Sequence, residues 1–590
     1  MFKGKRISIV KYILSGVLFL LFFLYFAVFN KYHILYLEQN QLFLWSLDFN
    51  KELFSLPGGL TLYAGSFFTQ FFIYSWIGAF IYTLNAFAIF VLSSYIYKKH
   101  NFNNIVLSFF PVWLIAILQS SELFTFDQAI GFLLFLSFFA LYIKVKKNTN
   151  RLIFFFTGWP VLYILAGGFS MPVVALCILH ELLFRKEKGR YLTSGLYFAA
   201  GLLIPYIFSK LIFYIQPDNI FTYPVTSELS SYYLYALIII FVWTPLVLIM
   251  IYFLNRRISV RNNLLSWSLI NVLAGTLIII FLGFTVYKYA YNKKAEMMLG
   301  IDHHVQKAEW GEVLKLSDKY PGFNTLVIYY TNIALYKNGR LLDKMFNYPQ
   351  IGSMGLRLQW VRNLNLFFGG ELFYNLSYNN ESIHWAFEAL VAKGLNPRSL
   401  KRLIVGCIVN ENYNIADKYI NILSKSLFYR EWAQKHKLYL SDPALAKNDS
   451  EISRSIELRV DSNFFSEVSG MNLEDLLSNH PENKMAYEYL IASMLLDKNL
   501  DGFAKAILSL KNYGYTRLPV HIEEALIFYN FYERQNVIPA GFSFRPETIT
   551  KFNAYATTYT RFRSDRTAAA NVLKNKYGNT YWYYLQFINN

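Results

Sequence analysis

The stretch Leu277-Ile-Ile-Ile-Phe-Leu-Gly-Phe-Thr-Val-Tyr287-Lys288-Tyr-Ala-Tyr291-Asn-Lys293-Lys294-Ala-Glu296 divides the chain into two chemically different halves. Before Tyr291, apolar runs recur, separated by short loops that are basic or acidic. After it, charges of both signs alternate with apolar residues at helical spacing, and no long apolar run appears. Long apolar runs read as membrane helices, and a mixed 3.6-residue period reads as water-exposed helices. The expected fold is all-α: a polytopic membrane helix bundle over residues 1–290, then a soluble helical domain over 291–590.

Composition agrees. Of 590 residues, 55% are hydrophobic, 19% aromatic and only 16% charged, a balance that soluble domains seldom carry. The two cysteines, Cys177 and Cys407, exclude a disulfide framework and a cysteine-rich metal site. The net charge of +18 resembles a nucleic-acid signal. Residues 1–290, however, hold 21 Lys/Arg against 9 Asp/Glu, so most of the excess lies in loops between apolar runs. Membrane topology explains that distribution, and nucleic acid is not an expected partner.

A span needs about 20 mostly apolar residues. Nine candidates stand out: 12–30, 76–97, 105–118, 128–143, 152–168, 171–184, 191–213, 232–254 and 264–287. Alternate loops between them carry 17 cations: Lys3, Lys5, Arg6, Lys11, Lys98, Lys99, Lys144, Lys146, Lys147, Arg151, Arg185, Lys186, Lys188, Arg190, Arg256, Arg257 and Arg261. The opposite short loops hold only Lys31 and Lys51. Positive loops mark the cytoplasm, so the N-terminus is expected inside. An odd number of spans then puts the tail outside, in the periplasm of a Gram-negative cell, with the chain in the inner membrane. Carboxylates show the reverse bias. Glu38, Asp48, Glu52, Glu122, Asp127, Asp218 and Glu228 lie in the outer loops, against Glu181 and Glu187 inside.

The first outer loop, 31–59, is long for an incidental connection. It holds His33, Glu38-Gln39-Asn40-Gln41, Asp48, Lys51 and Glu52, and ends in the chain-breaking Pro57-Gly58-Gly59. Residues 60–75 are apolar and aromatic but carry Thr61, Ser66, Thr69 and Gln70, which suits a helix lying in the interface. The next outer loop reads Gln119-Ser-Ser-Glu122-Leu-Phe-Thr-Phe-Asp127-Gln128.

This opening resembles that of GT-C superfamily glycosyltransferases: a first span, an acidic loop, a proline-containing break, an interfacial helix and a second span. The resemblance covers about the first 190 residues. It implies a catalytic carboxylate soon after the first span, matched here by Glu38, and a second acid before a later span, matched by Asp127. It departs where that superfamily often has two consecutive prolines and this chain has Pro57-Gly58. The whole chain also resembles a Bacteroidetes family of membrane proteins of unknown function with tetratricopeptide-like tails. The implied reaction moves a sugar from a polyprenyl-phosphate donor to an envelope acceptor. It needs a base, or a divalent cation to organise the phosphate, and cations for the departing lipid phosphate. Glu38 and Asp127 are the catalytic candidates, and His33, Gln39, Gln41, Asp48, Lys51, Glu52 and Lys210 the substrate-binding ones. Plainer readings stand beside these: solvated loop acids, a helix cap at Asp127, and an interfacial His33. His180-Glu181 would mark an interface, and Gly167-Gly168 would allow close packing.

The tail reads as helical hairpins. Trp310 begins one helix, Leu326–Leu335 forms another, and Gly339 marks the turn after it. Similar pieces recur at 386–394, 413–422 and 485–507. No strict period survives, so the expectation is a degenerate tetratricopeptide-like array, a surface that binds proteins or glycans. Asp302-His303-His304 is a weak metal candidate, since adjacent side chains on a helix diverge. No HExxH, GxSxG or P-loop occurs. Besides the transferase, two other classes fit: a membrane-anchored scaffold that recruits envelope proteins, and a transporter or lipid flippase. The spans contain few of the buried charges that mark ion paths, which disfavours transport.

Overall fold

The computed structural model describes residues 13, 15–102, 104–213, 215–225, 231–257, 269–360, 365–460, 471–562 and 564–588. Lys3, Lys5, Arg6, Lys11, Glu228, Arg261, and parts of the first and ninth expected spans lie outside the described residues. All elements described are helices, with no β-strand among the described residues. The chain divides into two compact units, Met1–Glu296 with Lys425–Phe428, and Met297–Ser424 with Tyr429–Asn590.

In the first unit the helices are α1 (Ser15–Phe29), α2 (Lys31–Gln39), α3 (Leu47–Phe54), α4 (Gly59–Thr69), α5 (Ser75–Lys99), α6 (Ile105–Gln119), α7 (Phe126–Tyr142), α8 (Asn148–Ala166), α9 (Met171–Leu179), α10 (Arg190–Leu211), α11 (Ser231–Arg257) and α12 (Leu269–Thr285). Helices lie at each expected span, but the count of nine spans is not upheld. Four stretches are long and apolar enough to cross a membrane: Ser75–Lys99, Asn148–Phe184, Arg190–Leu211 and Tyr233–Arg256. A fifth arises if α1 and α2, bent by 69°, act as one broken span. The physical reason is length. At 1.5 Å per residue, the 15 residues of α6 and the 17 of α7 reach about 22 and 25 Å, short of a hydrocarbon core of about 30 Å. Hydropathy measures composition, and these helices have the composition without the reach.

One of the four stretches is itself folded back. Arg151 and Glu181 are 30 residues apart, about 45 Å along a straight helix. Yet Arg151 Nε donates to Glu181 Oε1 at 2.7 Å. The chain therefore reverses between them, at Gly167, where φ is +55°. The glycine pair allows this because a side chain there has no room. A Cβ on Gly167 would lie 2.5 Å from the Tyr223 carbonyl, and one on Gly168 2.7 Å from those of Phe221 and Thr222.

The reversal gathers a polar cluster at the basic-loop end. Glu181 accepts from Arg151 and from the Tyr142 hydroxyl at 2.7 Å. Arg151 also bonds the Lys146 carbonyl, Asn148 and Glu187. Beside it, Arg185 Nε donates to His180 Nε2 at 3.2 Å. His180 Nδ1 meets His100 Nε2 at 3.0 Å, and His100 Nδ1 meets the Ile96 carbonyl at 2.8 Å. Because arginine is always a donor, this order makes both rings neutral donors through Nδ1. His180-Glu181 is thus part of a buried network and not merely an interface marker.

Residues 60–75 form α4 and a 3₁₀ turn, Gln70–Ile73, separated from α5 at Tyr74. At 11 residues α4 is about 16 Å long, too short to span.

In the second unit, consecutive helices pair with their neighbours, most regularly through Leu366–Asn375, Asn379–Lys393, Pro397–Val409, Tyr413–Leu423 and Arg430–Ser441. It is not a simple linear stack, however. Leu341–Lys344 packs on Val520–Glu533 and on Lys484–Leu496, and Asp343 bonds the Val520 amide at 2.7 Å. The Asp302-His303-His304 trio is dispersed. Asp302 pairs with Arg398 at 2.9 Å and Tyr330 at 2.5 Å, while His304 meets Glu309 at 2.5 Å.

Glu181→Leu should lower the stability of the detergent-solubilised protein by about 3 kcal/mol, because it takes from the buried Arg151 guanidinium its buried carboxylate and leaves it only the part-exposed Glu187. Arg151→Met combined with Glu181→Leu should recover most of that loss. Thermal unfolding of the three variants checks this, and a single variant as stable as the parent would contradict the paired hairpin.

Candidate functional site

At the opposite end of the first unit, the backbone breaks meet. Gly58 N donates to the Ile164 carbonyl at 2.9 Å, and Gly168 N to that of Tyr223 at 2.7 Å. The Tyr163 hydroxyl donates to the Ile220 carbonyl at 2.7 Å. The Pro57-Gly58-Gly59 break, the Gly167 reversal and the 217–225 loop are thereby tied together. In apolar surroundings such bonds are obligatory.

Asp127 lies beside this junction, in the first turn of α7, only 7% exposed. α4 crosses over it at Gly65, where a Cβ would stand 2.6 Å from the Asp127 amide nitrogen. Aromatic rings close the surroundings: Phe126 packs against Phe68, Phe72 and Tyr82. Gln128 donates to Thr125 at 3.1 Å and accepts from the Tyr233 hydroxyl. Tyr223 and Tyr233 lie within the electrostatic reach of Asp127. Burial raises the Asp127 carboxyl to about 6, and the Thr125 hydrogen bond opposes only part of that rise.

Glu38 is 2% exposed, in the last turn of α2, and accepts a hydrogen bond from the Gln39 amide. α2 is held at its N-terminus and near its middle. Ile34 sits over Gly78 of α5, where a Cβ would be 2.5 Å from its methyl. At the N-terminus Asn30 supplies no side-chain cap. Glu296 does so instead, its two oxygens accepting from Tyr32 N at 2.7 Å and His33 N at 3.1 Å. A carboxylate at the positive end of a helix is favourable.

Burial separates the remaining candidates. His33 is buried, with Nε2 unpartnered among the described residues, and Gln41 is half-buried with its Oε1 likewise unpartnered. Asp48, Lys51 and Glu52 are exposed on α3, and Lys210 is exposed in the last turn of α10. The structure therefore gathers Glu38, Gln39 and His33 on α2, and sets Asp127 on α7. The segment Phe68–Phe72 joins them: Phe72 packs on Phe126 and lies beside the same Gly78 that receives Ile34. Among the described residues no three His, Cys, Asp or Glu side chains are grouped to hold a metal ion.

The profile of a family of unknown function, DUF6057, matches residues 5–588. The chain is a member of DUF6057. No curated protein and no solved structure matches it. In this DUF6057 chain the sequence pointed to both carboxylates but not to their companions. Tyr223, Tyr233 and Glu296 come from distant segments and carry no local motif. The sequence reading marked Gly167-Gly168 for close approach and passed over Gly65, a lone glycine in an aromatic helix that carries the same signal.

Burial lifts the Glu296 carboxyl to about 7, against the pull of the two amides and Lys31. Folded Glu296 thus holds its proton more tightly than in the unfolded chain, where carboxyls titrate near 4.3. Its contribution to stability is full below that value and is lost as pH rises through 7. Wild-type unfolding stability should therefore fall between pH 5 and pH 8. Glu296→Gln should flatten that slope by up to roughly 3 kcal/mol. Thermal midpoints across that range test this, and parallel slopes would refute it.

Proposed function

We propose that the chain is an integral membrane glycosyltransferase of GT-C type, passing a sugar from a polyprenyl-phosphate-linked donor to an envelope acceptor. The observation that carries this reading is Asp127: a carboxylate buried beside a junction of broken helices, with its pKa drawn toward 6 and two tyrosines within reach. A base works best when its pKa lies near the operating pH, and perturbed groups in enclosed positions are candidate catalytic groups. In this reading Asp127 takes the acceptor proton. Glu38, oriented by Gln39, organises the donor directly or through a divalent cation. His33 and Gln41 line the same region, and Asp48, Lys51, Glu52 and Lys210 guide the charged donor from the outer surface. The tail is a degenerate tetratricopeptide-like array that holds a protein or glycan partner.

Asp127→Asn and Glu38→Gln each keep size and hydrogen bonding while removing charge. Transfer from a radiolabelled polyprenyl-phosphate sugar, measured at equal membrane abundance, should fall by roughly 100-fold for Asp127→Asn and by a comparable factor for Glu38→Gln. Undiminished transfer in the double variant would overturn carboxylate catalysis.

The reaction is placed at the outer face of the inner membrane, with the N-terminus cytoplasmic and the tail periplasmic. Support comes from the cation asymmetry, 17 against two. Contacts among Arg151, Glu181, Glu187, His180, His100 and Asn255 also bring four of the basic loops to one end of the unit. A phosphatase reporter that is active only in the periplasm, fused after Asn590, should be active. Activity of a cytoplasm-restricted reporter there would reverse the topology.

A further inference from the structure

At the basic-loop end of the first unit, two lysines from different helices converge. Lys99 is the last residue of α5, and Lys144 stands two residues past α7, which packs on α5. Both side chains turn over one ring. Lys99 Nζ lies 5.8 Å from the Tyr95 ring centre, and Lys144 Nζ lies 5.3 Å from it. Both lysines are exposed, and an exposed ammonium is free to point away into water. Two like charges over the same ring repel each other instead. Neither lysine makes an ion pair among the described residues. The carboxylates in the loops of this end, Glu181 and Glu187, are both held by Arg151. The other cation–ring contacts here differ in kind. Arg190 over Tyr191 and Arg256 over Tyr252 each place a single cation on a ring of its own helix.

Tyr95 also ends an apolar stripe. Phe80, Leu84, Phe87 and Val91 are each about half exposed, and their spacing of three or four residues puts them on one face of α5. Tyr95 continues that face one turn further on. Leu141 of α7, whose carbonyl accepts from the Lys144 amide at 3.0 Å, is half exposed as well. α5 lies in one of the stretches long and apolar enough to cross a membrane, so the stripe is suited to hydrocarbon and Lys99 to the interface. Leu84 is about 16 Å from Tyr95 along the helix, close to half of a hydrocarbon core of about 30 Å. An acyl chain laid on the stripe with its head at Tyr95 therefore reaches the middle of the bilayer.

We propose that Lys99, Lys144 and Tyr95 form a binding site for the phosphate of an anionic glycerophospholipid, of the phosphatidylglycerol type, with an acyl chain along Val91, Phe87 and Leu84. A phosphate between the two ammonium groups offsets their repulsion and gives each a charge-assisted hydrogen bond. A zwitterionic head group brings its own ammonium to the same place and loses most of that gain. Basic residues of neighbouring helices at the positive face of a membrane are suited to anionic head groups. The lipid occupies the leaflet on the basic-loop side, at the other end of the unit from the Asp127 junction. The site does not rest on the transferase reading.

The test titrates the full chain, in a non-ionic detergent, with phosphatidylglycerol and with phosphatidylcholine of the same acyl chains, bound lipid being counted by native mass spectrometry. Phosphatidylglycerol should bind roughly 20-fold more tightly. Lys99→Ala combined with Lys144→Ala should remove that preference. Lys186→Ala combined with Lys188→Ala takes the same charge from exposed residues of a loop at the same end and should lower the preference by less than about 3-fold. Free glycerol phosphate should leave the bound lipid in place. In phosphatidylcholine nanodiscs, a diazirine-bearing phosphatidylglycerol should label residues 84–99 and 141–146 of the wild-type chain most densely, a result that stands even if a variant misfolds. Equal binding of the two lipids, an equal loss in the Lys186 and Lys188 variant, or displacement by glycerol phosphate would overturn the proposal. So would labelling no denser there than on the exposed face of α11.

Discussion

A backbone amide in apolar surroundings must find a partner within the protein, because no water is there to replace it. The first unit interrupts its helices at Pro57-Gly58-Gly59 and at Gly167-Gly168, and each interruption releases amides and carbonyls. The structure resolves this by letting the interruptions satisfy one another through Gly58, Ile164, Gly168 and Tyr223. Glycine is required at 167 and 168 for two reasons. The first residue has positive φ, and any side chain at either position would collide with a carbonyl from the 217–225 loop. Once that junction forms, α7 and the 217–225 loop are brought together, and Asp127 lies where Tyr223 and Tyr233 surround it. The candidate site follows from how the chain satisfies its own broken backbone.

The same constraint explains what could be read from the sequence. Apolar runs located the helices of the first unit well, because composition is a local property. They overstated the number of spans, because α6 and α7 stop short of a membrane's width. No hydropathy average registers a chain that turns back at a glycine pair, as 148–184 does. Glu38 and Asp127 were legible because each follows or precedes an apolar run at an outer loop. Their burial was not, since it depends on Gly65, Gly78 and aromatic residues far away in sequence. Asp48, Lys51 and Glu52 share the same local signal as Glu38 and remain exposed on α3.

In the second unit, local hairpins were equally legible, and long-range closure was not. Gly339 and Gly394, both at positive φ, mark turns that the sequence announces. The packing of Leu341–Lys344 against helices some 140 to 180 residues later has no periodic signature. It rests on single pairs such as Asp343 with the Val520 amide. Histidines adjacent in sequence suggested metal chemistry, but Asp302 is committed to Arg398 and Tyr330. A buried carboxylate so paired would lose much by giving up its guanidinium.

Glu38 and Asp127, the two buried carboxylates of the candidate site, occupy opposite ends of their helices, and this bears on what each can do. Asp127 lies in the first turn of α7, where the helix dipole favours negative charge. Its pKa is nevertheless raised, so burial outweighs the dipole. Such a group gives up its charge readily when a proton arrives, as a base must. Glu38 lies in the last turn of α2, where the dipole opposes negative charge. There the Gln39 amide supplies a compensating donor. The α2 cap adds to the difference, because Glu296 fixes the helix at its positive end, opposite the turn that carries Glu38. Helix polarity and burial together are the grounds on which proton transfer is proposed for Asp127 and orientation for Glu38.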